Sequence, residues 1–421
     1  MEPWIALAIF VTTYGAIASD RIDRTLAALL GAAVVILLGI ITQETAFGAV
    51  DWNVIFLLFG MMVIAGVMRR TGIFGWLAIR TVRLGRGNPL AILLLMAAVT
   101  ALLSAFLDNV TTVVLLVPVT LYIASTLRIS PIPFVLAEVL ASNIGGTATL
   151  IGDPPNILIG SASGLTFLDF LLNLTPVAAV IFAVFAGAMA LLYRGRMAVT
   201  PEVREAVMAI DDSEFISDHR LLRVSLLVLA LTILGFLLSS VIHQEPATIA
   251  LLGAVVLLLV ARVDPDELIR EVDWSTLLFF VGLFVLVEGL VATGVITALG
   301  THLVELTGGD QTVTTLGLLW LSGIASAFID NIPYTATMIP VVEQLGVAGL
   351  EIDPLWWSLA LGACLGGNAT IIGASANVVA ASAVARAGHP ISFWQFLKVG
   401  GLVALLSMVV STVYLWARYL A

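Results

Sequence analysis

Cysteine is all but missing: Cys364 stands alone among 421 residues, which excludes an intramolecular disulfide and any thiolate metal cluster. Charge is scarce as well, at 11% of residues. The formal charge of −10 and the lack of a basic stretch interleaved with aromatics argue against a nucleic-acid partner. Four histidines, His219, His243, His302 and His389, fall near predicted membrane surfaces at no ligand spacing, so no metal and no cofactor is expected. No nucleophile stands beside a base or a metal cluster, which argues against an enzyme. The opening Met1-Glu2-Pro3-Trp4 lacks a basic leader and a small-residue cleavage site, so the first apolar segment is expected to be kept as a helix.

Apolar sequence is what the chain has in excess. It is 60% hydrophobic, with mean hydropathy +1.12. Apolar runs of about 20 residues recur, the length a helix needs to cross roughly 30 Å of hydrocarbon. The fold class read from this is an all-α polytopic membrane protein. Crossing helices are predicted near 3–18, 24–41 and 51–69, followed at 72–86 by an amphipathic piece with Arg80, Arg83 and Arg86 against Ile73, Phe74, Trp76 and Leu77. Two apolar arms, 89–106 and 110–126, are joined by Leu107-Asp108-Asn109. A helix from Pro131 to about Gly164 and a crossing at 167–192 follow. The polar stretch from Arg194 to Arg223, with Pro201, Asp211, Asp212 and Asp218, reads as a linker outside the membrane.

The helix after Pro131 cannot be continuous. Ser142-Asn143-Ile144-Gly145-Gly146-Thr147-Ala148-Thr149-Leu150-Ile151-Gly152-Asp153-Pro154-Pro155-Asn156 joins helix breakers to side chains that offer oxygen or amide ligands. Irregular backbone at membrane depth must be buried in protein or line a wet cavity. In transporters such a break is where half-helix ends and bare carbonyls meet the solute.

The pattern then returns. Asp51-Trp52 matches Asp273-Trp274, Thr71-Gly72 matches Thr293-Gly294, and Ser104-Ala105-Phe106-Leu107-Asp108-Asn109 matches Ser326-Ala327-Phe328-Ile329-Asp330-Asn331, each 222 positions on (330 against 108). Pro118 and Pro340 keep that spacing. The break matches Gly366-Gly367-Asn368-Ala369-Thr370-Ile371-Ile372-Gly373-Ala374-Ser375-Ala376-Asn377 with the spacing one shorter. A fixed offset held across many turns marks a duplication. Each half holds an odd number of crossings, because paired arms return to the face they left, so the second copy is expected upside down. With the N-terminus outside, every lysine and arginine except Arg418 falls on the cytoplasmic side, as membrane orientation favours. The expected units are a first inverted repeat at 1–193, a cytoplasmic linker at 194–220 and a second inverted repeat at 221–421, with both termini extracytoplasmic.

Asp108-Asn109 and Asp330-Asn331 admit two readings: tight external turns, where Asp and Asn are ordinary, or tips of re-entrant hairpins reaching the midplane. Thr111-Thr112 and Thr335-Ala336-Thr337 continue a polar surface past the tips and favour the hairpins. An ionised carboxylate at the bilayer centre costs about 2.5–3.5 kcal/mol even on permissive scales. Asp108 and Asp330 are therefore candidates to carry coupling protons. Glu138 and Asp153 join them without acidic counterparts in the second half, Ala374 standing opposite Asp153. Asp153 is equally suited to capping the second half-helix. Glu288 either pairs with a polar partner between helices or takes part in function, and Cys364 reads as a small packing residue.

The blocks Leu107-Asp108-Asn109-Val110-Thr111-Thr112, Asn143-Ile144-Gly145-Gly146-Thr147-Ala148-Thr149 and Ile151-Gly152-Asp153-Pro154-Pro155-Asn156 resemble the ion transporter superfamily. Within it they look most like the group of bacterial arsenite efflux pumps, related sodium/proton antiporters and the melanosomal P protein. The resemblance spans nearly the whole chain. It implies a scaffold and a moving transport subdomain, often in a homodimer, with elevator-type alternating access and a solute site at the hairpin tips and helix breaks. It departs from the dicarboxylate/sodium branch, whose tips carry Ser-Asn-Thr, and the second tip has Ile332-Pro333-Tyr334 where the first has Val110-Thr111-Thr112. It departs too from the best-known enteric arsenite pumps, whose first break lacks Gly-Asp-Pro-Pro. These departures bear on the solute and leave the architecture unchanged.

The expectation is a secondary active transporter in a bacterial inner membrane, moving protons inward and arsenite or antimonite outward. Its ligands would be Asn109, Thr111, Thr112, Asn143, Thr147, Thr149, Asn156, Asn331, Thr335, Asn368, Thr370 and Asn377, with Asp108, Asp330, Asp153 and Glu138 coupling protons. The rivals are a sodium/proton antiporter, a dicarboxylate or other anion symporter, and a channel or non-transporting membrane scaffold. Nothing in the sequence decides for or against a soluble ATPase subunit.

Overall fold

The computed structural model describes residues 2–421 apart from 19–21, 196, 211–214, 263, 265 and 268–271. Arg21, Asp211 and Asp212, which entered the charge and linker readings, lie outside the described residues.

Every described element is helical. In the first half, α1 (Glu2–Ala18), α2 (Arg24–Leu37) and α4 (Trp52–Arg70) are the three crossings, with a short α3 (Gln43–Gly48) that the hydropathy pattern did not announce. Then come the amphipathic α5 (Ile73–Leu84), the arms α6 (Pro89–Ser104) and α7 (Asn109–Thr126), the half-helices α8 (Ile132–Gly146) and α9 (Pro154–Ser163), and α10 (Phe167–Tyr193). Within the polar stretch expected as a linker, Pro201 at the first helical turn starts a short α11 (Pro201–Met208). The second half repeats the series with α12 (His219–Leu237), α13 (Ser239–Ile242), α14 (Pro246–Ala261), α15 (Trp274–Ala292) and α16 (Val295–Thr307). It ends with the arms α17 (Gln311–Ser326) and α18 (Asn331–Val347), the half-helices α19 (Ile352–Gly366) and α20 (Ser375–Arg386), and α21 (Phe393–Leu415). Among the described residues, 6 helices are long and apolar enough to cross a membrane. The arms α6 and α17 have 16 residues each, about 24 Å at 1.5 Å per residue, short of a full crossing.

The duplication is visible in the caps. Asp51 caps α4 by accepting from Asn53 and Val54, and Asp273 caps α15 by accepting from Thr276. Thr166 with Asp169 and Ser392 with Gln395 form capping boxes at the starts of α10 and α21. Gly72 and Gly294 both turn the chain at φ +78°, a conformation that a side chain resists.

The halves interlock rather than stand apart. α2 packs on α15 and α14 packs on α4. A Cβ on Gly282 would come within 2.7 Å of the Ala28 backbone, and one on Gly60 within 2.7 Å of the Ala250 backbone. A second body is made by the hairpins and broken helices. There α8 lies on α6 and α19 on α17, while α7 reaches α20 and α9 reaches α18. In the first half every residue from Phe134 to Gly160 is buried.

Candidate functional site

α8 stops at Gly146 and α9 begins at Pro154; α19 stops at Gly366 and α20 begins at Ser375. Both breaks fall where the glycines press backbone against backbone. A Cβ on Gly145 would sit 2.0 Å from the Ala101 carbonyl oxygen, and one on Gly366 2.3 Å from that of Gly323. These four positions are repeat mates. The hydroxyl of Thr149 donates to the Ala105 carbonyl, and Thr370 donates to the Ala327 carbonyl at 2.5 Å, so each break is pinned to the turn of its own hairpin. Ser142 donates to Ser104 at 3.0 Å, and Ser326 donates to the Ala363 carbonyl at 2.6 Å.

Asparagines join the two breaks. Asn156 donates its amide to the carbonyls of Thr147 and Thr149 at 3.1 and 2.8 Å, which peptide geometry has left without helical partners. Asn377 does the same for Gly367 and Thr370, at 2.8 Å each. The side-chain carbonyl of Asn377 then accepts from Asn143 at 3.0 Å, and that of Asn156 accepts from the Cys364 thiol at 3.6 Å. Asn143 and Cys364 occupy the same place in the two repeats. Asn143 also donates to Asn368 at 2.9 Å and accepts from Asn109 of the first hairpin tip at 3.1 Å, which uses both of its amide hydrogens. Asn143, Asn156, Asn368, Asn377 and Cys364 have no exposed surface.

The carboxylate of Asp153 completes the cluster. Asp153 precedes α9 but makes no capping bond there, which corrects the capping alternative. Pro154 and Pro155 remove two of the amides that such a cap would use. Its oxygens accept instead from Asn331 of the second hairpin tip, at 3.1 and 3.4 Å. A tip from one half thus meets a break from the other.

The other predicted residues divide. Asp108 and Asp330 cap the second arms, accepting from Thr111 and Ile332 respectively. The carboxylates of Asp108 and Asp330 lie within electrostatic reach of Asp153. Asp108 and Thr111 line a cavity of about 40 Å³ with Arg24, Asp273, Thr276 and Ser375. Thr112 and Thr335 are buried with unpartnered hydroxyls. Thr147 turns its hydroxyl back to the Asn143 carbonyl. Glu138 is deep between α7 and α8, with one carboxylate oxygen accepting from Thr120 and the other unpartnered. Glu288 has no hydrogen bond or ion pair among the described residues; it lines a cavity of about 230 Å³ with Glu343 and Asp51. The pairing alternative for Glu288 is therefore corrected: its neighbours there carry charge of the same sign. Of the histidines, His243 borders a cavity of about 390 Å³, with Asn53, Leu150 and Glu245.

Sequence reasoning missed Cys364 as a member of the cluster. Continuing the repeat alignment two residues upstream of the matched glycines would have set it opposite Asn143. It also missed Arg24, whose partners come from three distant stretches and leave no local signal.

The citrate transporter family profile matches residues 14–362. A 46 kDa membrane protein of Mycobacterium leprae is 47% identical over 99% of this chain and 99% of its own. An uncharacterised transporter of Mycobacterium tuberculosis is 47% identical over 99% and 98%. The human P protein is 34% identical over 98% of this chain, which covers 59% of the P protein. Among solved structures, the YdaH transporter of Alcanivorax borkumensis superposes with a TM-score of 0.60 at 14% identity, over 99% of this chain and 98% of that one. The likeness extends to the fold of a transporter described as having an unusual topology.

Proposed function

This chain belongs to the citrate transporter family of the ion transporter superfamily, and from that premise we propose proton-coupled efflux of arsenite or antimonite by elevator-type alternating access. Membership makes it a multi-pass secondary transporter and not an enzyme. The observation that carries the finer reading is the bond from Asn331 to Asp153, which puts a titratable acid between the two halves and beside both breaks. A carboxylate there can hold a proton in one state and release it in the next, while the amides exchange partners.

The amide cluster suits a neutral, hydroxyl-rich solute. Each Asn offers a donor and an acceptor, and in the closed site these satisfy one another. A trihydroxide of arsenic or antimony could replace those bonds one for one, at little net cost per bond. Asn109, Asn143, Asn156, Asn331, Asn368 and Asn377 would be the ligands, with Thr111, Thr112, Thr147, Thr149, Thr335 and Thr370 lining the approach. Asp153 would couple protons, with Asp108, Asp330 and Glu138 as further carriers. The body of α1, α2, α4, α12, α14 and α15 would stay fixed in a homodimer. The two upside-down hairpin and broken-helix units would move across the bacterial inner membrane, with both termini extracytoplasmic.

A sodium/proton antiporter is the second reading, favoured by the buried Asp153 carboxylate, with Asp108 and Asp330 on the two neighbouring hairpin tips as further acids. A citrate-like anion is disfavoured by the same carboxylates, because the guanidinium of Arg24 is already engaged by Asp330.

Everted vesicles from a pump-deficient host carrying this chain test the proposal. Adding arsenite or antimonite should dissipate an imposed pH gradient, and Asp153→Asn should abolish the response without lowering the amount of folded protein. Dissipation by sodium alone would select the antiporter. No response to either would remove both readings, and growth of the same host on arsenite, antimonite and high sodium gives an independent check.

A further inference from the structure

We propose that Tyr14 and Arg24 form a one-sided clasp that holds the second hairpin, and only the second, against the fixed body. Tyr14, on α1, donates its hydroxyl to the Pro333 carbonyl at 2.6 Å and lies 2.8 Å from the Thr337 hydroxyl. Arg24 is the first residue of α2 and is stacked 5.5 Å over the Phe279 ring. Its guanidinium donates to Ser375 at the start of α20 and to Thr276 at 3.2 Å, and stands 3.6 Å from the Asp330 carboxylate. Ser375 in turn donates to Asp330 at 2.5 Å. Two helices of the first half therefore grip the tip of the second hairpin at two places, by a neutral bond and by a charged one.

The duplication supplies the control. The repeat mates of Tyr14, Arg24, Thr276 and Ser375 are Phe236, Pro246, Val54 and Pro154. All four lack a donor or acceptor side chain. Asp108, the mate of Asp330, accepts from the Thr111 amide at the start of its own arm and has no ion pair among the described residues. Side chains that bond are kept on one side of the repeat axis and replaced by apolar ones on the other. A purely structural need common to both hairpins would not produce that division.

The consequence is unequal gating. The first hairpin tip faces Asp273 and Thr276 across a cavity and, with no ion pair at Asp108 among the described residues, parts from the fixed body without breaking one. The second must first break a charged hydrogen-bonded contact, so the step that frees it is the slower one. This inference deepens the transporter reading and rests on it for its role in the cycle, but its test needs no transported solute. Failure of the clasp therefore differs from failure of the proposed function.

The measurement is amide hydrogen exchange on the full chain in lipid nanodiscs, comparing peptides over 327–337 with peptides over 105–115. Arg24→Gln and Tyr14→Phe should each speed exchange at the second tip by about tenfold, with the first tip changed by less than about twofold. Arg24→Lys, which keeps the charge, should recover part of the protection. Tyr14→Phe removes one oxygen atom and keeps the ring, so it remains informative if Arg24→Gln folds poorly. Equal acceleration at both tips, or no change at the second in either variant, would overturn the clasp.

Discussion

Asn143 makes three side-chain hydrogen bonds at the meeting point of the first hairpin tip and both breaks, in a place without water-accessible surface. Asn143→Ala would strand the amide of Asn109 and the side-chain carbonyls of Asn368 and Asn377. A buried polar group left unpaired costs about 1–3 kcal/mol, and allowing for partial relaxation the three together come to roughly 3–6 kcal/mol. With unfolding entropy near 2 cal/mol/K per residue, that corresponds to a fall in melting temperature of roughly 3–7 °C for a chain of this length. Asn143→Asp keeps the volume but turns the donor edge into an oxygen facing two carbonyl oxygens, so it should melt no higher than the alanine variant. Asn143→Cys copies what the second repeat does with Cys364, and a weak thiol donor should place it between wild type and alanine. The assay is tryptophan fluorescence on heating at fixed detergent and lipid, using the 9 native tryptophans. If the aspartate variant melted within about 1 °C of wild type, the described hub of donors and acceptors would be refuted.

Gly145→Ala and Gly366→Ala push a methyl group into a neighbouring backbone carbonyl. Overpacking of this kind costs about 1–3 kcal/mol, and both should lower folded yield in fluorescence-detected gel filtration. Gly187→Ala, with nothing within 4 Å of its Cβ inside α10, should not; equal behaviour of all three would contradict the close approach. Cys364 has no exposed surface, so a maleimide should label the folded protein far more slowly than the unfolded one, and Cys364→Ser, which keeps a donor for Asn156, should be more stable than Cys364→Ala. Fast labelling of folded protein would count against the description. Glu138 has no cationic partner among the described residues, so Glu138→Gln should be as stable as wild type or more so, since a buried unpaired charge is expensive and the Thr120 bond is kept. A marked fall in its melting temperature would mean that the charge itself holds α7 and α8 together.

Much of this architecture was legible in the chain because its causes are local. The length of apolar runs sets where helices cross, Gly-Asp-Pro-Pro cannot remain helical, and the 222-residue offset carries the hairpin caps Asp108 and Asp330, and the caps Asp51 and Asp273, of one half onto the other. Thr71-Gly72 and Thr293-Gly294 could be paired on paper, and both glycines adopt the same left-handed turn. The short helices α3 and α11 were missed because six or eight residues give too weak a period to stand out from a loop.

The sequence alone determined that this is a duplicated, helix-interrupted membrane protein with acids and asparagines at the interruptions, since those features depend on residues next to one another. Only the tertiary structure decided who meets whom. It turned Asp153 from a helix cap into the partner of Asn331, brought Cys364 from apparent packing to the bond with Asn156, and set Arg24 beside Asp330. The reason is physical: hydrogen bonds between residues hundreds of positions apart depend on how two interlocked halves pack. Repeat symmetry offers equivalent places to both halves, but it does not say which member of each pair will find a partner there.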